Sequence, residues 1–265
     1  MTKSQQIYPT DLNDTQWLKI RPYLPAEAPT GRPREHGWRR ILNGIFYLLQ
    51  SGCSWRMLPR DLPPWKTVYH YFRLWCKDGT WERLNQLLRE KVRLRFGKKR
   101  QASAAILDSQ SIKTSEGGVE CGFDAGKQVT GRKRHTLVDT LGLLLKVMVT
   151  AGNVQDRDGA KRLLEEIGET KVVKRLKLIW ADGSYRGELI TWIEDLFGWT
   201  LEVVEKPKDQ PGFQVLPKRW IVERTFAWSV RQRRLARDYE RLPETSASFI
   251  YVAMVRLMIR RLAKA

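Results

Sequence analysis

Cysteine and histidine are scarce in this chain, with three of each among 265 residues. Cys53, Cys76 and Cys121 are odd in number, far apart and without a Cys-x-x-Cys pair, which argues against a disulfide framework. The dispersed histidines argue equally against a structural zinc. The cysteines read as the reduced thiols of an intracellular protein. Long apolar runs are also missing. Ile41–Leu49 is interrupted by Asn43 and Phe249–Ile259 by Arg256, so nothing approaches the ~20 residues that a membrane span requires. The opening Met1-Thr2-Lys3-Ser4-Gln5-Gln6 has no apolar signal-peptide core, so the expected location is the cytoplasm, with no membrane partner. Acid is the last deficit: 29 Asp and Glu stand against 48 Lys and Arg, a formal charge of +19. The excess runs through the whole chain, unlike the single basic amphipathic segment of a membrane-surface binder. It is the electrostatic footprint of a protein that binds a polyanion, nucleic acid above all.

What is present divides near residue 100. Residues 1–100 read as an all-α domain. Asn13 or Asp14 can cap a first helix carrying Trp17, Leu18, Ile20 and Leu24, stopped by Pro25. A second helix places Trp38, Ile41, Leu42, Ile45, Leu48 and Leu49 on one face and ends at Ser51-Gly52. A third, Trp65–Lys77, has a core stripe of Val68, Phe72 and Trp75 and leaves Lys66, Tyr69, His70, Arg73 and Lys77 outside it. A fourth runs from Thr80 to Phe96. Helices two and three resemble a helix-turn-helix unit whose second helix could enter a major groove, with Lys66, Tyr69, His70 and Arg73 as DNA contacts. An ordinary bundle with a solvated basic face explains the same pattern. Gly31-Arg32-Pro33-Arg34 is either a linker or an arm that inserts Arg32 and Arg34 into a minor groove.

Residues 101–265 change period. Ala104–Asp108 predicts a buried strand, 111–132 an exposed loop, and His135–Val138 with Leu143–Thr150 a hairpin closed at Asp139-Thr140-Leu141-Gly142. Helix from Asp158 to Ile167, strand Leu176–Ala181, helix Gly187–Leu196 and strand Leu201–Glu205 follow. A helix from Pro217 to Leu235 and a last one, Ser246–Leu262, complete the pattern. This describes an α/β domain, a mixed sheet with flanking helices.

Three acids of this domain, Asp108, Asp182 and Glu223, suit hard divalent cations, and two such cations can clamp a phosphodiester during in-line displacement. Each also has a plain structural explanation. Asp108 ends a predicted strand and could make a turn, Asp182-Gly183 is a turn dipeptide, and Glu223 could pair with Arg219 four residues earlier. On the helical wheel Glu223 lies in a row with Arg219, Ala227, Arg231 and Arg234, while Ile221, Thr225, Trp228 and Leu235 form a more buried row. An acid within an arginine row suits a face that meets phosphate and holds a cation. Asp139 fits the hairpin turn, Asp156 and Asp158 a loop and helix cap, and Asp124 the loop.

Several blocks are similar to one known family. They are Ile106–Thr114, Gly131–Asp139, Ile179–Gly187 and Arg219–Trp228, continuing through Arg233-Arg234-Leu235 and Asp238-Tyr239-Glu240 into the last helix. In the first half they are Leu12–Trp17, Gly31–Arg34, Gly52–Arg56 and Pro64–Tyr69. Together they resemble DDE transposases of bacterial insertion sequences, in the insertion-sequence-five group. The resemblance implies an RNase-H-like core with Asp108 on its first strand, Asp182 after its fourth and Glu223 on the helix after its fifth. The intervals of 74 (182 − 108) and 41 (223 − 182) leave no room for a large insertion domain in the second. It also implies two Mg²⁺ per active site, replaceable by Mn²⁺, held by the three acids. The implied substrates are the inverted-repeat ends of an insertion sequence and target DNA, and the implied state is a homodimer on double-stranded DNA. Arg132, Lys133, Arg134, Arg219, Arg224 and Arg231 are expected to clamp phosphates. Of the Tyr, Arg, Glu, Lys pattern around the last acid only Arg219 and Glu223 match; Leu216 and Val230 stand at the other places. A nuclease that only hydrolyses and a non-catalytic DNA-binding regulator are the alternatives.

Overall fold

The computed structural model describes residues 8–26, 34–204 and 218–264. The first half is helical, as its periodicity predicts. Helix α1 (Asp14–Ile20) starts in a capping box in which Asn13 accepts from the Gln16 N–H and Gln16 returns the bond. Helix α2 (Trp38–Ser51) buries Ile41, Leu42, Ile45, Leu48 and Leu49, and stops at Gly52 because a left-handed residue is needed there (φ 73°). A short 3-10 helix, Trp55–Met57, lies in the connection to α3 (Trp65–Lys77). Helix α4 (Thr80–Arg95) then leads into the sheet.

The sheet has six strands: β1 (Ala104–Lys113), β2 (Gly122–Asp124), β3 (Val129–Asp139), β4 (Leu144–Ala151), β5 (Leu178–Ala181) and β6 (Thr200–Val203). Short β2 and long β4 share one edge of β3, and the order continues β3-β1-β5-β6. The β1–β3 pair is antiparallel, whereas β1–β5 and β5–β6 are parallel. With β2 set aside, this is the mixed order expected of an RNase-H-like core. Helices α5 (Asp156–Gly168) and α6 (Glu188–Phe197) cover one face, where Ala105, Leu107, Leu163, Ile179 and Ile193 form a core. The other face, through Ile106, Val138, Leu144 and Trp180, joins a larger core with α7 (Trp220–Val230), α8 (Pro243–Ala263) and the N-terminal helices. Residues of one strand serve both cores because successive side chains leave opposite faces.

Several expectations change. Strand β1 does not end at Asp108; it continues five residues, so Asp108 is mid-strand and much of the expected 111–132 loop is sheet. Polar Ser109, Gln110 and Ser111 remain in the strand because β3 supplies their ladder, as far as Lys113↔Gly131. The N-cap of α5 is Gln155, ahead of Asp158. Helix α7 ends at Val230, and Arg233–Leu235 is a separate 3-10 turn; Leu216 and Pro217 lie outside the described residues. Of the predicted buried row Thr225 is buried, whereas Ile221 and Trp228 are half-buried and their neighbours Val222 and Ser229 are buried in their place. Phe249–Ile259, one of the most apolar windows of the chain, is the axis of the larger core. The first-half helices pack on this C-terminal helix, with Phe72 stacked on Phe249 at 4.4 Å. Among the described residues no helix is long and apolar enough to cross a membrane.

Candidate active site

Strands β1 and β5 bring the first two acids together. They pair in parallel register as far as Ile106↔Trp180, and two residues further on each strand's course lie Asp108 and Asp182. Neighbouring strands are about 4.8 Å apart, so both carboxylates fall just past the point where the parallel pairing ends, Asp182 beyond the carboxyl end of β5 and Asp108 midway along β1. Asp108 shares the face of Ile106, the face covered by α7. Asp182 follows β5 directly and caps a 3-10 turn, accepting from the Ser184 N–H at 2.9 Å and from its hydroxyl.

Glu223 arrives from α7, whose position is fixed by the β3–β4 turn. Thr225 Oγ1 donates to the Gly142 carbonyl at 2.8 Å, and Arg224 Nη2 to that of Leu141 at 3.1 Å. Gly142 is left-handed (φ 75°), and a Cβ there would meet Thr225 Oγ1 at 2.9 Å, so the contact needs glycine. The turn itself is braced by Asp139, which accepts from Leu141 N and Leu143 N and pairs with buried Arg93 at 2.6 Å. Asp139 therefore has the turn role expected of it.

One cation joins the acids. Arg219, at the head of α7, lies 3.4 Å from Asp182 Oδ2 and 4.0 Å from Glu223 Oε1. It also favours the ionised form of Asp108 through space, as does Lys127. The Asp108 carboxyl is nevertheless pushed up to about 6, first by burial and, among the charges, by Asp182. The Ser109 N–H works the other way. Three acids that share the influence of one guanidinium, one of them destabilised as an anion, offer the hard oxygen donors that suit a divalent cation by their chemistry. Among the described residues no three acid, His or Cys side chains already converge to ligating distance. Arg219 stands between two of the donors, and the Glu223 side chain is 55% exposed.

Behind Asp108, on the other face, is a closed polar network. Ser109 Oγ donates to Asp156 at 2.8 Å, and Lys133 Nζ lies 2.9 Å from Asp156 and 3.3 Å from Asp124. Burial raises the Asp156 carboxyl, but Lys133 and Ser109 outweigh it and hold it low. Asp156 and Asp124 are thus neutralised inside the fold. Tyr185 is fully buried nearby, its phenol raised by burial and then by Asp108, Asp156 and Asp182. Sequence reasoning missed Lys127 and Tyr185. Tyr185 lies three residues after Asp182, but nothing in the pattern shows it turning inward.

The expected phosphate clamps separate into two groups. Arg132, Lys133 and Arg134 cannot meet DNA, being 0%, 6% and 2% exposed. Arg132 pairs with Asp238 at 3.3 Å and donates to the carbonyls of Val119, Glu240 and Arg241. Arg134 donates to that of Leu235 at 3.0 Å. Their strand lies between two neighbours and under helices on both faces, so these charges are internal braces. Arg219, Arg224 and Arg231 stay on the α7 side of the site. In α3, Lys66, Tyr69 and His70 are exposed, whereas Arg73 donates to Thr245 Oγ1 at 2.6 Å. Arg34 stacks over Trp38 at 3.7 Å, and Arg32 lies outside the described residues.

Comparison with known proteins points to one family. Residues 99–258 match the family model described as "Transposase DDE domain", and residues 12–85 the one described as "Putative transposase of IS4/5 family". The chain is 34% identical over 118 residues to a Burkholderia cepacia protein named "Insertion element IS402 uncharacterized 16.2 kDa protein", a match covering 42% of this chain and 78% of the relative. It is 29% identical over 126 residues to "Putative transposase for insertion sequence element IS402" of the same organism, covering 45% of this chain and 59% of that one. "Uncharacterized protein y4sN" of Sinorhizobium fredii is 26% identical over 85 residues, covering 32% and 68%. No solved structure matches.

Proposed function

Since this chain belongs to the DDE transposases of the IS4/5 family, we propose that Asp108, Asp182 and Glu223 are the carboxylates with which it cuts insertion-sequence ends and joins them to target DNA. The observation that carries this reading is that Asp182 and Glu223, remote in sequence, share the guanidinium of Arg219, which also acts through space on Asp108. DDE chemistry depends on a divalent cation, and here the proposal is two Mg²⁺, with Mn²⁺ able to substitute. Such a pair supplies Lewis-acid stabilisation of the attacking and leaving oxygens.

The chain's own residues do the rest. Asp108 presents its carboxylate from a rigid mid-strand position, and Asp182 is oriented by the Ser184 N–H and hydroxyl. Arg219 takes a phosphate oxygen when it leaves the acids, and Lys127 offsets charge beside Asp108. Residues 1–100, with Arg32, Arg34, Lys66, Tyr69, His70 and Arg73, recognise the inverted-repeat ends, and residues 101–265 perform the chemistry. Arg224 and Arg231 hold phosphates beside the site. A homodimer on double-stranded DNA follows from the need to join two ends, and the place of action is the bacterial cytoplasm at the nucleoid.

A hydrolysing nuclease and a regulator without chemistry are both less economical, because neither needs strand joining and the second needs no acids. The test is an in vitro reaction with labelled end duplexes. Asp108→Ala should abolish both nicking and joining to a target duplex while DNA binding persists. Unimpaired joining would end the assignment, and hydrolysis without joining in the native protein would favour the nuclease.

A further inference from the structure

Beyond the acids, helix α7 faces the last turns of α8 across a recess of about 290 Å³. Five of its ten lining residues are cationic (Arg231, Arg256, Arg260, Arg261 and Lys264), and none is acidic. Among the described residues none of the five has a carboxylate within 4.0 Å. Arg256, the deepest, donates to the neutral amide oxygens of Gln50 and Gln232, at 2.6 and 3.0 Å. Arg224 and Arg261 both lie over the Trp228 ring, at 4.8 and 4.4 Å, which fixes their guanidinium planes. The nearest acids are few. Asp11 borders Arg256 and Arg260 in an adjoining recess, and Asp139 acts on Arg224 and Arg261 from a distance while already paired with Arg93.

Cations do often gather at a helix C-terminus, but that account is insufficient here. A helix end carries only about half a negative charge. The last carbonyls of α8 are moreover already taken by Arg95, which donates to Arg261 O at 2.9 Å, to Leu262 O at 2.8 Å and to Lys264 O. Burial and then a like-charged neighbour lower the proton affinity of both Arg256 and Arg261, the neighbours being Arg260 and Arg224. A cluster assembled against its own repulsion is complementary to a run of anions.

We propose that the α7–α8 recess is a binding site for the phosphodiester backbone of one DNA strand, a few nucleotides from the phosphate at the acids. The proposal rests on the function above. Its occupant is argued from position: Arg231, the C-cap of α7, is eight residues beyond Glu223, roughly 12 Å along the axis. Measured along a duplex axis, that span holds about three to four phosphates of one strand, one per 3.4 Å of rise. A strand entering the acids along α7 therefore lies across Arg231, Arg260 and Lys264.

The test is the salt dependence of DNA affinity for the full-length protein, read by fluorescence anisotropy on a labelled end duplex without divalent cation. The exposed set Arg231→Gln, Arg260→Gln and Lys264→Gln is compared with Lys171→Gln, Lys174→Gln and Lys177→Gln on the far side of the fold. Each lost phosphate contact lowers the slope of log affinity against log salt by about 0.9. The recess variant should therefore lose ~2 to 3 from the slope, with an unchanged melting temperature, and the control set should lose much less. Equal slopes for native and recess variant overturn the site. Competition by a poly-glutamate peptide as effective as by DNA of equal charge overturns the strand as its occupant. Failure of the wider reading is distinct, because Asp108→Ala would then leave joining intact while these slopes remain as expected.

Discussion

Removing Arg219 should tighten divalent-cation binding in the absence of DNA. The guanidinium lies 3.4 Å from Asp182 and 4.0 Å from Glu223, so it competes directly for two of the three donors. Unit charges at these distances attract by about 1 kcal/mol in bulk water and by about 4 to 5 kcal/mol at an effective permittivity near 20. The side chains are 23%, 27% and 55% exposed for Arg219, Asp182 and Glu223, so solvent screening brings the pairs towards the lower figure. A competitor worth about 1 to 2 kcal/mol in all depresses cation affinity by about 5- to 30-fold. Titration of DNA-free Arg219→Gln with Mn²⁺, followed by the free-ion paramagnetic resonance signal, should show a gain of that size. The same variant should lose strand joining, because the phosphate contact goes with the guanidinium. Unchanged or weaker Mn²⁺ binding would refute the competition and leave Arg219 as a brace for the head of α7.

Two further outcomes follow from the same geometry. The Asp108 carboxyl has its folded value raised to about 6 from an ordinary value of 3.8, so the folded state holds that proton more tightly than the unfolded chain. Stability from this group is present below about pH 4 and declines as pH rises through 6; Asp108→Asn should accordingly raise the melting temperature in chelator at pH 8, with the gain vanishing towards pH 4, and no gain at pH 8 would contradict the burial argument. Arg132→Gln leaves Asp238 and three carbonyls without their partner inside the fold, so urea unfolding should show a loss of about 3 to 5 kcal/mol, whereas a normal fold with a reduced DNA salt slope would return Arg132 to the surface.

The sequence by itself determined more of this protein than its composition promised. The basic excess, a first-helix cap at Asn13 or Asp14, the stop at Gly52 and the Asp139–Gly142 turn are all local, and local physics was enough to read them. The three acids were legible as residue types at strand and helix positions, and the family's motif blocks joined them. Tertiary structure decided which charges face inward. Arg132, Lys133 and Arg134 look like any basic surface run, yet the partner of Arg132 is Asp238, over a hundred residues away, and Lys133 is met by Asp124 and Asp156. A buried cation is tolerated only where such partners arrive, and no local pattern announces their arrival. For the same reason, the seat of Arg219 between two carboxylates and the arginines gathered between α7 and α8 became visible only once distant segments were packed together.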